Sequence, residues 1–158
     1  MYRELVDILK ANSMTVATVE SCTGGMIASH IVDVSGASSV FGYGFVTYAD
    51  EAKKNMVGVS ASTLADYGAV SREAASEMAE GGKRTSGADI CISVTGVAGP
   101  NTDEGKPVGL VYIGICLNES RVYECHFEGD RESIRTQAAY EAVRLALLFI
   151  KEALNGNQ

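Results

Sequence analysis

Two short apolar runs, each breaking at once into a polar turn with glycine, constrain this chain more than any other feature. Thr15-Val16-Ala17-Thr18-Val19 ends at Glu20-Ser21-Cys22-Thr23-Gly24-Gly25, and Asp89-Ile90-Cys91-Ile92-Ser93-Val94-Thr95, with one charge at its start, ends at Gly96-Val97-Ala98-Gly99-Pro100. Runs this short and this free of charge suit strands buried on both faces, and they need helices to cover them. The helices are legible from their spacing. Residues 2–12 carry Leu5, Ile8 and Leu9 on one face, and residues 26–34 follow the first turn. Residues 72–86, with Ser71 as cap, line up Ala75, Met78, Ala79 and Gly82. Residues 131–154, capped by Asp130, carry the stripe Ile134, Ala138, Ala142, Leu145 and Phe149. Residues 40–48, rich in Val, Phe and Tyr, read as a third strand, with Asp50 as N-cap of a short helix that stops near Gly58. Residues 108–117 and 121–127 read as an antiparallel hairpin. The predicted order is α-β-α-β-α-α-β-β-β-α. It implies the α/β class: a single three-layer α/β/α domain over residues 1–158, with a mixed sheet of about five strands including a C-terminal antiparallel hairpin. Ligands of such sheets sit at the strand ends, where the loops converge.

Composition narrows the function classes. A length of 158 residues with 46% hydrophobic and 21% charged side chains fits one globular domain. No apolar run approaches the ~18 residues of a membrane span, and Met1-Tyr2-Arg3-Glu4-Leu5 does not open a signal peptide. A cytoplasmic protein is expected, with no membrane partner. Against 13 basic residues stand 20 acidic ones, and the net charge of −7 argues against general affinity for nucleic acid. It leaves room for one small anion held by a few local donors. Cys22, Cys91, Cys116 and Cys125 form no CxxC pair, and Cys125-His126 would point to opposite faces of a strand. Reduced thiols and no metal are expected. Compact α/β domains with exposed apolar faces often assemble, so a homo-oligomer is expected too.

Four segments carry candidate chemistry. In Glu20-Ser21-Cys22-Thr23-Gly24-Gly25, Ser21 or Thr23 caps the following helix, or a nucleophile, Ser21 or Cys22, stands beside an oxyanion or phosphate site at that helix end. Tyr48 and Lys53 stand at a strand end and about one helical turn later. A buried lysine loses its charge readily and can act as a base, whereas a solvated Lys53 would only balance Asp50 and Glu51. Thr95 and its glycines offer either turn chemistry or a place for a small polar ligand. A nucleotide P-loop is excluded there: five residues separate Gly99 from Gly105, and Pro107 stands where Ser or Thr is needed. Arg131 and Arg135 share a face of the last helix near its N-terminus. They either pair with carboxylates or clamp a phosphate.

Taken together, these segments resemble one family. Glu20-Ser21-Cys22-Thr23-Gly24-Gly25, Gly44-Phe45-Val46-Thr47-Tyr48 with Glu51-Ala52-Lys53, and Gly68-Ala69-Val70-Ser71 come first. Thr95-Gly96-Val97-Ala98-Gly99-Pro100, Lys106-Pro107-Val108-Gly109 and Phe127-Glu128-Gly129-Asp130-Arg131 follow in the family's order. Over about residues 5–150 they are similar to the C-terminal domain of the CinA competence/damage-inducible proteins, whose stand-alone members are nicotinamide-nucleotide amidohydrolases. Larger relatives carry a further N-terminal domain, and functions that depend on it are not carried over.

The resemblance implies hydrolysis of the carboxamide of nicotinamide mononucleotide to nicotinate mononucleotide and ammonia, in pyridine-nucleotide salvage. It implies a serine–lysine–tyrosine arrangement at Ser21, Lys53 and Tyr48, with the N–H groups of Thr23, Gly24 and Gly25 for the oxyanion. It further implies substrate contacts from Thr95, Gly96 and Gly99, with Arg131 and Arg135 at the 5′-phosphate, and neither metal nor other cofactor. Two other readings compete with it: a nucleotide-binding regulatory module without turnover, and an amidase of a different pyridine or nucleotide amide.

Overall fold

Five strands and six α-helices alternate along residues 1–156, the part of the chain that the computed structural model describes. In chain order they are α1 (Tyr2–Ala11), β1 (Val16–Glu20), α2 (Met26–Val32), β2 (Phe41–Val46), α3 (Asp50–Val57), α4 (Ala61–Tyr67), α5 (Arg72–Ser86), β3 (Ile90–Gly96), β4 (Leu110–Cys116), β5 (Ser120–His126) and α6 (Arg131–Asn155). The sheet order is β2-β1-β3-β4-β5; β1 runs parallel to β2 and β3, and β4 is antiparallel to both its neighbours. This is the expected open α/β fold. Helices α1, α2 and α6 pack together on one face, and α3 and α4 lean on α5 on the other.

The apolar pattern explains the layering. Every residue of β1 is buried, as is all of β3 except its last residue, which is why neither strand alternates. The larger core lies under α1, α2 and α6 and holds Leu5, Leu9, Ile27, Ile31, Ile92 and Ile134 among others. Each such side chain contributes roughly 1.5–3 kcal/mol by leaving water. A smaller core of Ala17, Val19, Val57, Met78 and Cys91 lies under α5. There the helix approaches the sheet closely, because glycine stands at two contact points. A Cβ on Gly82 would come 2.4 Å from Val19 Cγ2 and 2.6 Å from Cys91 Sγ, and one on Gly114 2.5 Å from the Ala75 carbonyl oxygen.

Two local expectations are corrected. Helix α4 has no counterpart in the predicted order. It is seven residues long with only Thr63 buried, and it is held by Ser60, whose Oγ accepts from the Thr63 N–H at 3.1 Å, and by the Glu77 carboxylate, which accepts from the Ser60 N–H at 2.9 Å. Asp50 is the first residue of α3 rather than its cap; Ala49 holds the cap position and makes no side-chain bond. Asp50 and Glu51 face the positive end of that helix instead.

The topology decides where a site can form. From β1 the chain passes to β2 on one side and later returns to β3 on the other, so the carboxyl end of β1 opens on the crevice where the winding reverses. Because β5 runs in the same sense as β3, the first turn of α6 returns to that edge.

Candidate active site

The residue after β1 is Ser21. Its N–H still bonds the Val94 carbonyl at 2.9 Å, so the sheet fixes its backbone while the next residues turn away. The turn closes with the Gly24 N–H on the Ser21 carbonyl at 3.1 Å, and Gly24 and Gly25 take φ of 58° and 101°, a region that glycine enters without steric cost. The start of α2 is capped from an unexpected place. Glu20, the last residue of β1 and only 1% exposed, accepts from the N–H groups of Ile27 at 2.9 Å and Ala28 at 3.1 Å. These are two of the four helix-end donors that lack intrahelical partners. A carboxylate ending an otherwise uncharged run was the available sequence signal for this role.

Lys53 lies on α3 but points into the protein, 1% exposed, and it is the largest of the fully buried side chains. Its Nζ lies 2.9 Å from Ser21 Oγ, 2.8 Å from the Thr47 carbonyl and 3.3 Å from the Tyr48 carbonyl. Nζ is the donor to all three oxygens, so a hydroxyl and two carbonyls surround it with acceptors and no carboxylate is bonded to it. Burial is the strongest influence on Lys53 and pulls its pKa below the ordinary lysine value, while the carboxylates of Asp50, Glu104 and Asp103 restore part of the loss. The neighbouring Cys22 is 6% exposed, and burial pushes its thiol up to about 12. At neutral pH Cys22 is therefore held as the thiol, not the reactive thiolate. Geometry and protonation state together favour Ser21 over Cys22 as nucleophile.

A cavity of about 530 Å³ opens beside this pair, lined by Ser21, Cys22, Tyr48, Lys53, Thr95, Gly96, Gly99 and Arg131 together with the loop from Pro100 to Glu104. Thr95 is buried, and its hydroxyl donates to the Ala69 carbonyl at 2.8 Å. Gly96 is held small by β4, since a Cβ there would meet Val111 Cγ2 at 2.6 Å and the Leu110 carbonyl at 2.8 Å. The loop is anchored by Glu104, which accepts from the N–H groups of Ala69 at 2.9 Å and Val70 at 3.3 Å. Sequence reading attached no role to Glu104 or Glu20.

Tyr48 lies at the mouth, 64% exposed. Its phenol oxygen accepts from Arg131 Nη2 at 3.1 Å, and only its carbonyl is in contact with Lys53. Arg131 also donates to the Gly99 carbonyl at 2.5 Å, so Tyr48, Arg131 and Gly99 form one side of the opening. Thr23, Gly24, Gly25 and Arg135 do not line the cavity. Arg135 turns instead toward the turn after Ser21, donating from Nε to the Cys22 carbonyl at 2.9 Å and from Nη2 to the Thr23 carbonyl at 3.2 Å. Buried hydroxyls on Thr23 and Thr47 have no partner among the described residues. Nor do three His, Cys, Asp or Glu side chains gather anywhere among those residues as a metal would require, and no helix there is long and apolar enough to cross a membrane.

The fold and the site thus define an open α/β protein with a buried serine–lysine pair where its sheet reverses winding. The chain belongs to the CinA C-terminal domain family, whose sequence profile matches residues 1–150. It is 50% identical to a Thermoanaerobacter pseudethanolicus protein provisionally named competence-damage inducible, and 46% identical to a CinA-like protein of Kosmotoga olearia. The alignments cover 96% and 95% of this chain but only 38% and 36% of those relatives. It therefore spans little more than a third of the length of the curated relatives it matches. Among solved structures, it is similar to a CinA superfamily protein of Escherichia coli, with 35% identity, a TM-score of 0.91, and 92% of this chain and 86% of that one covered. It is also similar to the competence/damage inducible protein CihA of Agrobacterium tumefaciens, with 36% identity, a TM-score of 0.90, and 95% and 93% covered.

Proposed function

We propose that the site hydrolyses the carboxamide of nicotinamide mononucleotide to nicotinate mononucleotide and ammonia. The observation that carries this reading is the environment of Lys53 Nζ: buried, matched to two carbonyl acceptors, and 2.9 Å from a serine hydroxyl at the wall of a cavity. Burial lowers the Lys53 pKa, and the amine form so favoured is the base for its serine partner. The resemblance to nicotinamide-nucleotide amidohydrolases supplies the choice of amide.

In this mechanism Ser21 Oγ attacks the carboxamide carbon as its proton passes to Lys53 Nζ. The tetrahedral intermediate collapses, the C–N bond breaks, and the nitrogen leaves as ammonia carrying the proton that Lys53 took from Ser21, handed on directly or relayed through Tyr48, so that Lys53 is neutral again. Arg131 donates to the Tyr48 oxygen, which leaves the phenol O–H free to act. Water activated by Lys53 then cleaves the acyl-serine. The cationic pyridinium withdraws electrons from the carbonyl and assists the attack. Arg131, at the cavity mouth, is the residue for the 5′-phosphate.

The test is ammonia release from nicotinamide mononucleotide in metal-free buffer, comparing wild type with Ser21→Ala. Release by the wild type with a loss of at least about 10³-fold in the variant supports the reading. Activity that persists in Ser21→Ala removes Ser21 as nucleophile. A wild type that binds the nucleotide without turnover would make the chain a binding module, and turnover confined to another amide would change the substrate.

A further inference from the structure

The hydroxyl of Thr95 has a single proton, and that proton is already committed. Oγ1 donates to the Ala69 carbonyl at 2.8 Å, and among the described residues that carbonyl has no other donor. The segment that carries it is fixed by its neighbours. Glu104 accepts from the N–H groups of Ala69 at 2.9 Å and Val70 at 3.3 Å, and Lys106 donates to the Val70 carbonyl. Turning the Thr95 hydroxyl away would therefore strand the carbonyl of Ala69, a buried residue, without a partner. Thr95 and Ala69 both line the cavity, so Oγ1 lies in its wall, and among the described residues nothing donates to that oxygen. What it has left to offer a ligand is lone pairs and no proton.

The register of the sheet sets this oxygen beside the reacting hydroxyl. Strands β1 and β3 are parallel, with Glu20 opposite Val94, and the bond from the Ser21 N–H to the Val94 carbonyl at 2.9 Å continues the ladder one step. That step pairs Ser21 with Thr95 at a strand spacing of about 4.8 Å. Both side chains turn to the same face of the sheet. Ser21 Oγ meets Lys53 of α3, Thr95 Oγ1 meets Ala69 on the approach to α5, and α3 packs on α5. A carbonyl carbon about 3–3.5 Å from Ser21 Oγ, ready for attack, then has Thr95 as a neighbour. The two ends of a carboxamide differ in what they offer there: the NH₂ group has protons to donate, and the carbonyl oxygen has only lone pairs.

We propose that Thr95 is a specificity-determining residue: Oγ1, its own proton given to Ala69, accepts from the NH₂ group of the substrate carboxamide and makes the site select amide over acid. This inference rests on the amidohydrolase reading and deepens it. A carboxylate in the same place would set two acceptors face to face, so the acid product is held less tightly than the amide. The same contact turns the leaving nitrogen toward β3 before its bond to carbon breaks.

The experiment is calorimetric binding to Ser21→Ala, which cannot form an acyl-serine, with three ligands. They are nicotinamide mononucleotide, nicotinate mononucleotide and 3-acetylpyridine mononucleotide, in which a methyl group replaces NH₂ at similar size and unchanged charge. With Thr95 in place, the amide is expected to bind about 3–10-fold tighter than the acetyl ligand, the worth of one neutral hydrogen bond. The acid should bind weaker than the amide by at least as much. In Ser21→Ala/Thr95→Val the amide and acetyl ligands should bind within about twofold of each other, and Thr95→Ser, which keeps the hydroxyl, should keep the preference. Thr95→Cys retains a weak donor for Ala69 but a poor acceptor, and should lose most of the preference even if the valine variant does not fold. An amide preference unchanged in Thr95→Val or Thr95→Cys would overturn the proposal. So would equal weakening of all three ligands, which is what a purely structural bond to Ala69 would give, and so would an absence of preference with Thr95 in place. If that happens while wild type releases ammonia, the role of Thr95 falls and the amidohydrolase reading stands. If wild type releases no ammonia but the amide preference depends on Thr95, the chain is a carboxamide-binding module and the role stands. Ser21→Ala that binds none of the three overturns the proposal, and the reading falls with it if wild type is also inactive.

Discussion

A lysine side chain taken out of water with no carboxylate bonded to it gives up its charge more easily than its position, and that is the chemical content of Lys53. Its pKa lies below the ordinary value of 10.5 because burial disfavours the ammonium form. The sign for catalysis follows: the base must be neutral, so the rate rises with pH through the Lys53 pKa and levels off above it. We expect kcat/KM for ammonia release to show a limb rising with pH whose midpoint lies below 10.5, and Lys53→Met to lower it by about 10²–10⁴-fold across the range. A midpoint at the ordinary lysine value, or a limb unchanged in Lys53→Met, would remove Lys53 as the base. At this scale the sequence was informative where chemistry is local. Ser21 and Lys53 stood out as candidates by position, a hydroxyl at a strand end and a lysine at a helix start. Local sequence left a cap and a solvated charge equally open, and their pairing came from the family resemblance; the fold brings Oγ and Nζ to 2.9 Å. The division between Arg131 and Arg135 was not legible. An i,i+4 pair shares a helix face, but where each guanidinium goes depends on which carbonyls the rest of the fold brings within reach: Gly99 for one, Cys22 and Thr23 for the other. Tyr48 teaches the same lesson, since its carbonyl and not its phenol meets Lys53.

At the level of elements, the turn after Ser21 depends on how α2 begins. The helix is seven residues long and has Gly25 at its N-cap, which contributes no side-chain bond. Without a cap so short a helix would leave buried N–H groups unpaired, and Glu20 meets that need from the end of the preceding strand. Glu20→Gln keeps the shape but turns an amide NH₂ toward one of the two donors. We expect a loss of about 1–3 kcal/mol. In a chain of this length that is a fall of roughly 2–10 °C in Tm, measurable by calorimetry. A variant as stable as wild type would mean that water can replace the carboxylate at that helix end. Sequence periodicity found every element whose apolar face is long enough to repeat. It missed α4, whose place is decided by Ser60, Thr63 and Glu77 rather than by burial, because ties across 14 or 17 residues of chain leave no local pattern. Helix α6 was readable for the opposite reason: its apolar stripe recurs along most of its length, with Ile134, Ala138, Ala142, Leu145 and Phe149 all buried.

Across the whole molecule, the cavity is assembled from segments far apart in the chain, around residues 21, 48–53, 95–104 and 131. A ligand that bridges them therefore reports on the sheet as one cooperative unit. A ligand selective for the folded state stabilises by about 2.7 kcal/mol at 100 times its Kd and by about 1.4 kcal/mol at ten times. For nicotinate mononucleotide, the proposed product, a concentration of 100 Kd should raise Tm by about 5–10 °C. Arg131 supplies the cationic contact at the cavity mouth, so Arg131→Ala should weaken binding about tenfold or more and cut the shift at the same concentration to about half. Nicotinate riboside, which lacks the phosphate, closes the comparison. It should shift wild type and Arg131→Ala equally, because it presents nothing for that guanidinium to hold, whereas Ser21→Ala should keep the full shift with the nucleotide. Equal nucleotide shifts in wild type and Arg131→Ala would place the phosphate elsewhere. In that event Arg131 would be a wall of the opening, holding Tyr48 and Gly99 in place through the bonds it already makes.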